Sequence, residues 1–196
     1  MAVILIQTLK AELGQRFGPA YGKSNPLLGD HSSKQRFEDH VPAERMRGII
    51  GEENWDTLYT FSFVRNPFDR IQSLYHFLKK YDYIPRDWSF SEFAQRLVNA
   101  DENTPYLGYY GLRFGASDFI LDRNGNMLVD DIFRYEERDK GIKQISEKIG
   151  FQGLGQIRIL EASPKNTKYR EMYDDLTRDL VAQRYVADLE LFSYNF

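Results

Sequence analysis

Apolar residues recur along the chain in short blocks whose period changes from segment to segment. Residues 1–13 carry Ile6, Leu9 and Leu13 at helical spacing, which predicts a first helix. Residues 14–40 are rich in Gly, Pro, Ser and Asn and read as irregular. Pro42 suits the first position of a helix over 42–50 that stops at Gly51. Residues 58–64, LYTFSFV, are aromatic and β-branched and largely apolar on both faces, which predicts a buried strand. Asn66-Pro67 follows at once and opens a helix to about Lys80, with Ile71, Leu74, Tyr75 and Leu78 on its apolar face. Ser89 with Glu92 three residues on is a capping-box pattern for a helix near 90–99. Residues 100–115 read as loop. Asn124-Gly125 between apolar runs 117–121 and 127–133 predicts a hairpin. A helix near 138–149 stops at Gly150, 156–160 suits a short strand, and a helix over 174–190 carries Leu176, Leu180 and Leu189. Interleaved helices and strands define an α/β class.

Composition narrows the function classes. A chain of 196 residues fits one domain with a real core, and 15% aromatic content argues against wholesale disorder. Lys and Arg number 26 against 29 acids, a net charge of −3, which demotes a nucleic-acid binder working mainly on phosphates. Cysteine is absent, so disulfides, cysteine nucleophiles and thiolate metal sites are excluded, and three histidines leave little for a histidine metal cluster. No stretch approaches a membrane span, and the run Ala2–Ile6 lacks the flanks of an export signal. The expectation is a soluble, cytoplasmic chain.

The strand–loop–helix over 58–80 carries the most chemistry. Asn66 is a good N-cap, Pro67 fits N1, and Asp69 stands where a capping acid belongs. Arg65 therefore falls between a strand's C-terminal tip and a helix start, where α/β sheets bind ligands and helix amides favour anions. Ser73, seven residues after Asn66, returns to within about 20° of the same helix face. Arg65 and Ser73 can thus converge on one anion. The alternatives are that Arg65 pairs with a core carboxylate and that Ser73 is an ordinary surface residue.

FSFVRNPFDRIQSLYHF resembles the 3′-phosphate-binding segment of the carbohydrate sulfotransferases of the heparan and chondroitin type. His40-Val41-Pro42-Ala43-Glu44 through Trp55 resembles that family's lead-in helix. Phe119–Gly125, Leu128-Val129-Asp130 and Arg134-Tyr135-Glu136 resemble its hairpin and R-x-E element, and Asn166–Asp174 with Asp188–Phe196 its C-terminal close. The resemblance runs over roughly residues 37–196. It implies a three-layer, P-loop-NTPase-like fold with a short, mainly parallel sheet, formed by a single domain over 1–196. It implies transfer of a sulfuryl group from 3′-phosphoadenosine 5′-phosphosulfate (PAPS), a cosubstrate, to a hydroxyl of a glycan acceptor, with no metal. Arg65 and Ser73 would hold the donor's 3′-phosphate.

The family's second phosphate element, a Lys-bearing loop near the N-terminus, has no clear counterpart. Gly18 to Gly22-Lys23-Ser24 is one residue short of the phosphate-loop spacing, and the residues before it are polar. The reading that follows is that 2–13 is the helix after that loop, that the chain is N-terminally incomplete, and that the sheet has an open slot beside 58–64. A catalytically impaired relative that binds a nucleotide 3′-phosphate without transfer is the alternative function. A phosphate-loop kinase or NTPase is disfavoured by the missing motif. On the acceptor side His40 is the first candidate for general base, by its place in the lead-in segment, against a plain capping role. His31 comes next, and His76 reads as structural. Glu136 reads as half of an ion pair bracing the sheet. Tyr106, Tyr109 and Tyr110, in a Gly-containing loop, can stack on sugar rings or simply pack the loop.

Overall fold

The computed structural model describes residues 3–8, 41–108, 110–150 and 169–196. In chain order these form β1 (Val3–Thr8), α1 (Ala43–Ile50), α2 (Glu52–Trp55), β2 (Leu58–Val64), α3 (Pro67–Lys80), α4 (Phe90–Val98), α5 (Tyr110–Arg113), α6 (Ser117–Ile120), β3 (Asp131–Arg134), α7 (Arg138–Ile149), α8 (Asp175–Arg184) and α9 (Val186–Leu191). Single 3-10 turns cover Tyr135–Glu137 and Tyr169–Met172. The chain divides into two compact units. One comprises Arg65–Ser117 with Gln156–Phe196, and the other Ala2–Val64 with Asp118–Gly155.

The second unit holds the sheet, in the order β1-β2-β3. β2 runs parallel to β3, from Phe61 opposite Asp131 to Val64 opposite Arg134, in keeping with an α/β chain. β1 runs antiparallel to β2, from Val3 opposite Phe63 to Thr8 opposite Leu58. Two expectations fall here. Residues 3–8 are a strand and not part of a helix, and the flank of β2 expected to stand open is paired. The physical reason is local: Val3-Ile4-Leu5-Ile6 is a continuous run with three β-branched side chains, which lose little in a pleated strand and more in a helix. The sheet is accordingly mixed, with one parallel and one antiparallel ladder.

β2 is buried on both faces, but the faces differ in kind. Tyr59 and Phe61 pack with Phe63, Phe133, Ile142, Ile145 and Ile149, so the aromatic face meets α7. Thr60, Ser62 and Val64 are buried on the other face, which is therefore largely small and polar rather than apolar. Thr60 is satisfied by Asp130, whose carboxylate accepts from the Thr60 amide at 2.7 Å and hydroxyl at 2.9 Å. α7 approaches closely because residue 141 is Gly: a Cβ there would lie 3.0 Å from Phe133 Cβ and from a Phe63 ring carbon. At the rim, Asp131 accepts from Lys148 at 2.7 Å and from the Tyr59 hydroxyl. Burial pushes Asp131 upward, yet these hydrogen bonds outweigh it and hold the carboxyl below its ordinary value. Burial, with Asp131 alongside, pushes the Tyr59 hydroxyl well up. A smaller cluster joins Ala43, Trp55 and Leu128 with Met46 and Ile50. α1 ends at Gly51, whose φ of 89° suits a residue without a Cβ.

The Asn-Gly turn forms, with Gly125 at φ 82° and the Asp122 amide donating to the Asn126 carbonyl at 2.9 Å. The expected hairpin shrinks to the Leu121–Met127 bridge, because Ser117–Ile120 is a helical turn.

The first unit is helical. α3, α4 and α8 enclose a core of Phe68, Ile71, Tyr75, Phe93, Leu97 and Val181, with Tyr185 beside them. Ser89 caps α4 by accepting from the Glu92 amide at 3.1 Å. The expected 174–190 helix breaks at Tyr185, and its inward stripe is Thr177, Val181, Tyr185 and Asp188. Leu176 is exposed; the capping box between Asp174 and Thr177 sets the helix phase so that Thr177 points inward. Residues 156–160, the expected short strand, lie outside the described residues.

Candidate functional site: the start of helix α3

Helix α3 begins where the sequence places it. Asn66 accepts from the Phe68 amide at 3.0 Å through its side chain, Pro67 takes the first helical position, and Asn66 O receives the Arg70 amide at 2.8 Å. Arg65 precedes this cap. Its Nε donates to Asp69 Oδ2 at 2.6 Å, with the two side chains 13% and 22% exposed. The pairing with a carboxylate anticipated as one alternative is thus present, within the helix's own first turn. Asp69 and Ser73 follow at four-residue steps, so Arg65, Asp69 and Ser73 run along one flank while Ile71, Tyr75 and Leu78 face the core. Ser73 is half-buried.

What holds this helix start in place was not evident from the sequence. Asn66 Nδ2 donates to the Asn195 carbonyl at 2.8 Å, and the Tyr173 hydroxyl donates to the Phe68 carbonyl at 2.9 Å. Phe196 stands edge-on to Phe68 at 4.9 Å and to Tyr173 at 5.5 Å. Burial pushes the Tyr173 hydroxyl strongly up, so it stays a neutral donor. One turn on, Arg70 is buried, donates to the Phe114 carbonyl at 2.8 Å and lies 4.8 Å from the Tyr185 ring centroid. Burial raises the Tyr185 hydroxyl as well. The 114–117 segment is also gripped by Asp188, fully buried, which accepts from Ala116 N at 2.7 Å, Ser117 N at 2.8 Å and Ser117 Oγ at 2.6 Å. Position 115 must be Gly, since a Cβ there would sit 2.6 Å from Asp188 Oδ1. A polar residue inside an apolar helical stripe, Asp188 between Tyr185 and Phe192, was the available signal.

The other candidates separate. His40, His31, Gly22-Lys23-Ser24 and Tyr109 lie outside the described residues. His76 is on α3, three residues past Ser73, and its pKa is pushed below the ordinary value by partial burial and then by Lys79. Glu136 is in the turn after β3. Tyr106 is well exposed. Among the described residues no group of three or more His, Asp or Glu is arranged to hold a metal ion. No helix there is long and apolar enough to cross a membrane.

A charged donor at a capped helix start favours an anionic group, and the anion that Arg65 meets within the chain is the Asp69 carboxylate. The model of the sulfotransferase family matches residues 20–195, nearly the whole chain, and the chain belongs to that family. A protein of Archaeoglobus fulgidus described only as uncharacterized is 30% identical over 132 residues, covering 67% of this chain and 99% of that protein. No solved structure matches.

Proposed function

We propose that this chain transfers the sulfuryl group of PAPS to a hydroxyl of a glycan, with Arg65 and Ser73 holding the donor's 3′-phosphate. The observation that carries the proposal is Arg65 set directly before the Asn66-capped α3, with Ser73 on the same flank, inside a chain of the sulfotransferase family. Asp69 supports the role by fixing the guanidinium through Nε, which presets its plane before an anion arrives. In the reaction the acceptor oxygen attacks sulfur, and the bond between sulfur and the 5′-phosphate oxygen breaks. The hydroxyl proton passes to a base, for which His40 is the candidate, and adenosine 3′,5′-bisphosphate leaves. Transfer also requires cations or amides at the 5′-phosphosulfate. If the chain transfers sulfate, Lys23 or Lys10 is the residue to examine for that cation.

Calorimetry with adenosine 3′,5′-bisphosphate tests the donor site. Arg65→Ala should weaken binding by about 2–4 kcal/mol, since a sequestered phosphate loses its charged partner. Ser73→Ala should cost about 1 kcal/mol, the value of one neutral donor. Equal affinity for the wild type and Arg65→Ala would overturn the assignment. Transfer of radiolabelled sulfate to glycan acceptors separates an enzyme from a relative that only binds: nucleotide binding with no transfer to any glycan selects the second.

A further inference from the structure

Tyr106 combines two properties that rarely coincide. Its backbone sits at φ 65°, in the left-handed region, and its side chain is among the most exposed of the apolar residues, at 62%. A bulky residue there costs on the order of 1–3 kcal/mol, and glycine would avoid that cost. An exposed ring recovers little of it by burial. The loop around it is built to hold the position. Asp101 accepts from the Asn103 amide at 3.0 Å and from Thr104 Oγ1 at 2.7 Å. The Thr104 carbonyl receives the amides of Leu107 at 3.2 Å and Gly108 at 2.7 Å, and Leu107 is fully buried as the anchor.

Beside Tyr106 stands Trp88, with ring centroids 6.0 Å apart and planes at 89°. Trp88 is fixed from behind, its carbonyl accepting from the Tyr75 hydroxyl at 2.9 Å and from Lys79 at 3.2 Å. The Arg96 guanidinium lies 4.6 Å from the Trp88 ring centroid and pairs with Glu92 at 2.8 Å, with both side chains roughly half exposed. Two perpendicular rings and a neutralised donor–acceptor pair therefore share one patch.

We infer that Tyr106, Trp88, Arg96 and Glu92 form a subsite for an uncharged pyranose ring of a glycan. This rests on the proposed glycan acceptor. The apolar C–H face of a pyranose matches an aromatic ring, and its equatorial hydroxyls match an adjacent guanidinium–carboxylate pair. The Arg96 guanidinium is already paired with Glu92, so a uronate or sulfated sugar gains no free cation from the pair, while a neutral sugar still finds a donor and an acceptor side by side.

Binding of chitohexaose, followed by tryptophan fluorescence and calorimetry on the full chain, tests the inference. The wild type should bind saturably and more tightly than it binds a heparin-derived hexasaccharide. Tyr106→Gly should raise the urea midpoint by relieving the backbone, yet weaken chitohexaose binding at least tenfold with nucleotide affinity unchanged. Arg96→Gln should weaken the sugar without that gain in stability. No chitohexaose binding by the wild type, unaltered affinity in Tyr106→Gly, or preference for the sulfated sugar would each overturn the subsite. Failure of the transferase reading is separate: chitohexaose would still bind, while adenosine 3′,5′-bisphosphate would not.

Discussion

Removing the Asp188 carboxylate should be among the most damaging single changes in the helical unit, and the damage can be worked out donor by donor. Oδ2 accepts from Ala116 N at 2.7 Å, and Oδ1 accepts from Ser117 N at 2.8 Å and Ser117 Oγ at 2.6 Å. All three groups are buried, so water cannot replace the partner without a rearrangement. Asp188→Asn keeps the volume, and its single amide oxygen can still serve Ser117. Its NH₂ then faces the Ala116 N–H, donor against donor. One stranded buried amide costs about 1–3 kcal/mol, and the loss of charge assistance adds about 1 more, giving about 2–4 kcal/mol. Asp188→Ala strands all three donors and leaves a cavity, for about 3–5 kcal/mol. Ser117→Ala removes one donor, and the carboxylate keeps the other two, for about 1 kcal/mol. The expected order is therefore Asp188→Ala, then Asp188→Asn, then Ser117→Ala, read as urea midpoints at constant slope. If both Asp188 variants unfold within about 1 kcal/mol of the wild type, the reasoning fails, because partners the carboxylate alone supplies would then be dispensable.

Three further outcomes are expected. Asn66→Ala removes the α3 cap and the donor to the Asn195 carbonyl, so it should cost about 1–2 kcal/mol in denaturant titration. Gly141→Ala gains about 1 kcal/mol of helix propensity but drives a methyl against Phe133 and Phe63, and overpacking at about 1–3 kcal/mol should make the net change destabilising in thermal melts. Asp174 is held below its ordinary pKa first by the Thr177 hydroxyl, then by the Thr177 amide and Ser91. A depressed folded-state value gives stability that is complete above the unfolded value near pH 4 and is lost as pH falls through the folded value. Asp174→Asn should therefore flatten the acid limb of a stability–pH curve below about pH 4 and leave its shape near neutrality unchanged.

Local signals carried much of what the chain discloses about itself. Asn66-Pro67 and the apolar period after it place the start of α3 at Pro67 and its end near Lys80, because cap chemistry and burial agree there. LYTFSFV is strand β2, since few arrangements other than a sheet bury so many aromatic and β-branched residues in seven positions. Residues 3–8 misled because Ile6, Leu9 and Leu13 match a helical period while Val3–Ile6 match a strand, and pairing with β2 decides between them. The 174–190 stripe misled because leucines marked the wrong face: the inward positions include Thr177 and Asp188, whose burial depends on partners far away in sequence. That Arg65 and Ser73 lie along one flank at the start of α3 was legible from their spacing. The i,i+4 pairing of Arg65 with Asp69 was open, and the anchoring of the helix start by Tyr173, Asn195 and Phe196 was not legible, since nothing local to 65–73 encodes it.

That anchoring has a kinetic meaning. The Asn66 side chain meets Asn195 across 129 positions, and the Tyr173 hydroxyl meets Phe68 across 105. Contacts so distant along the chain follow costly loop closure, so they belong to the late, downhill side of the folding barrier. Weakening them should leave the refolding rate almost untouched and shorten the lifetime of the folded state. On that ordering Asn66→Ala should speed unfolding far more than it slows refolding in stopped-flow denaturant jumps, and an anion bound at the start of α3 would act mainly as a brake on unfolding.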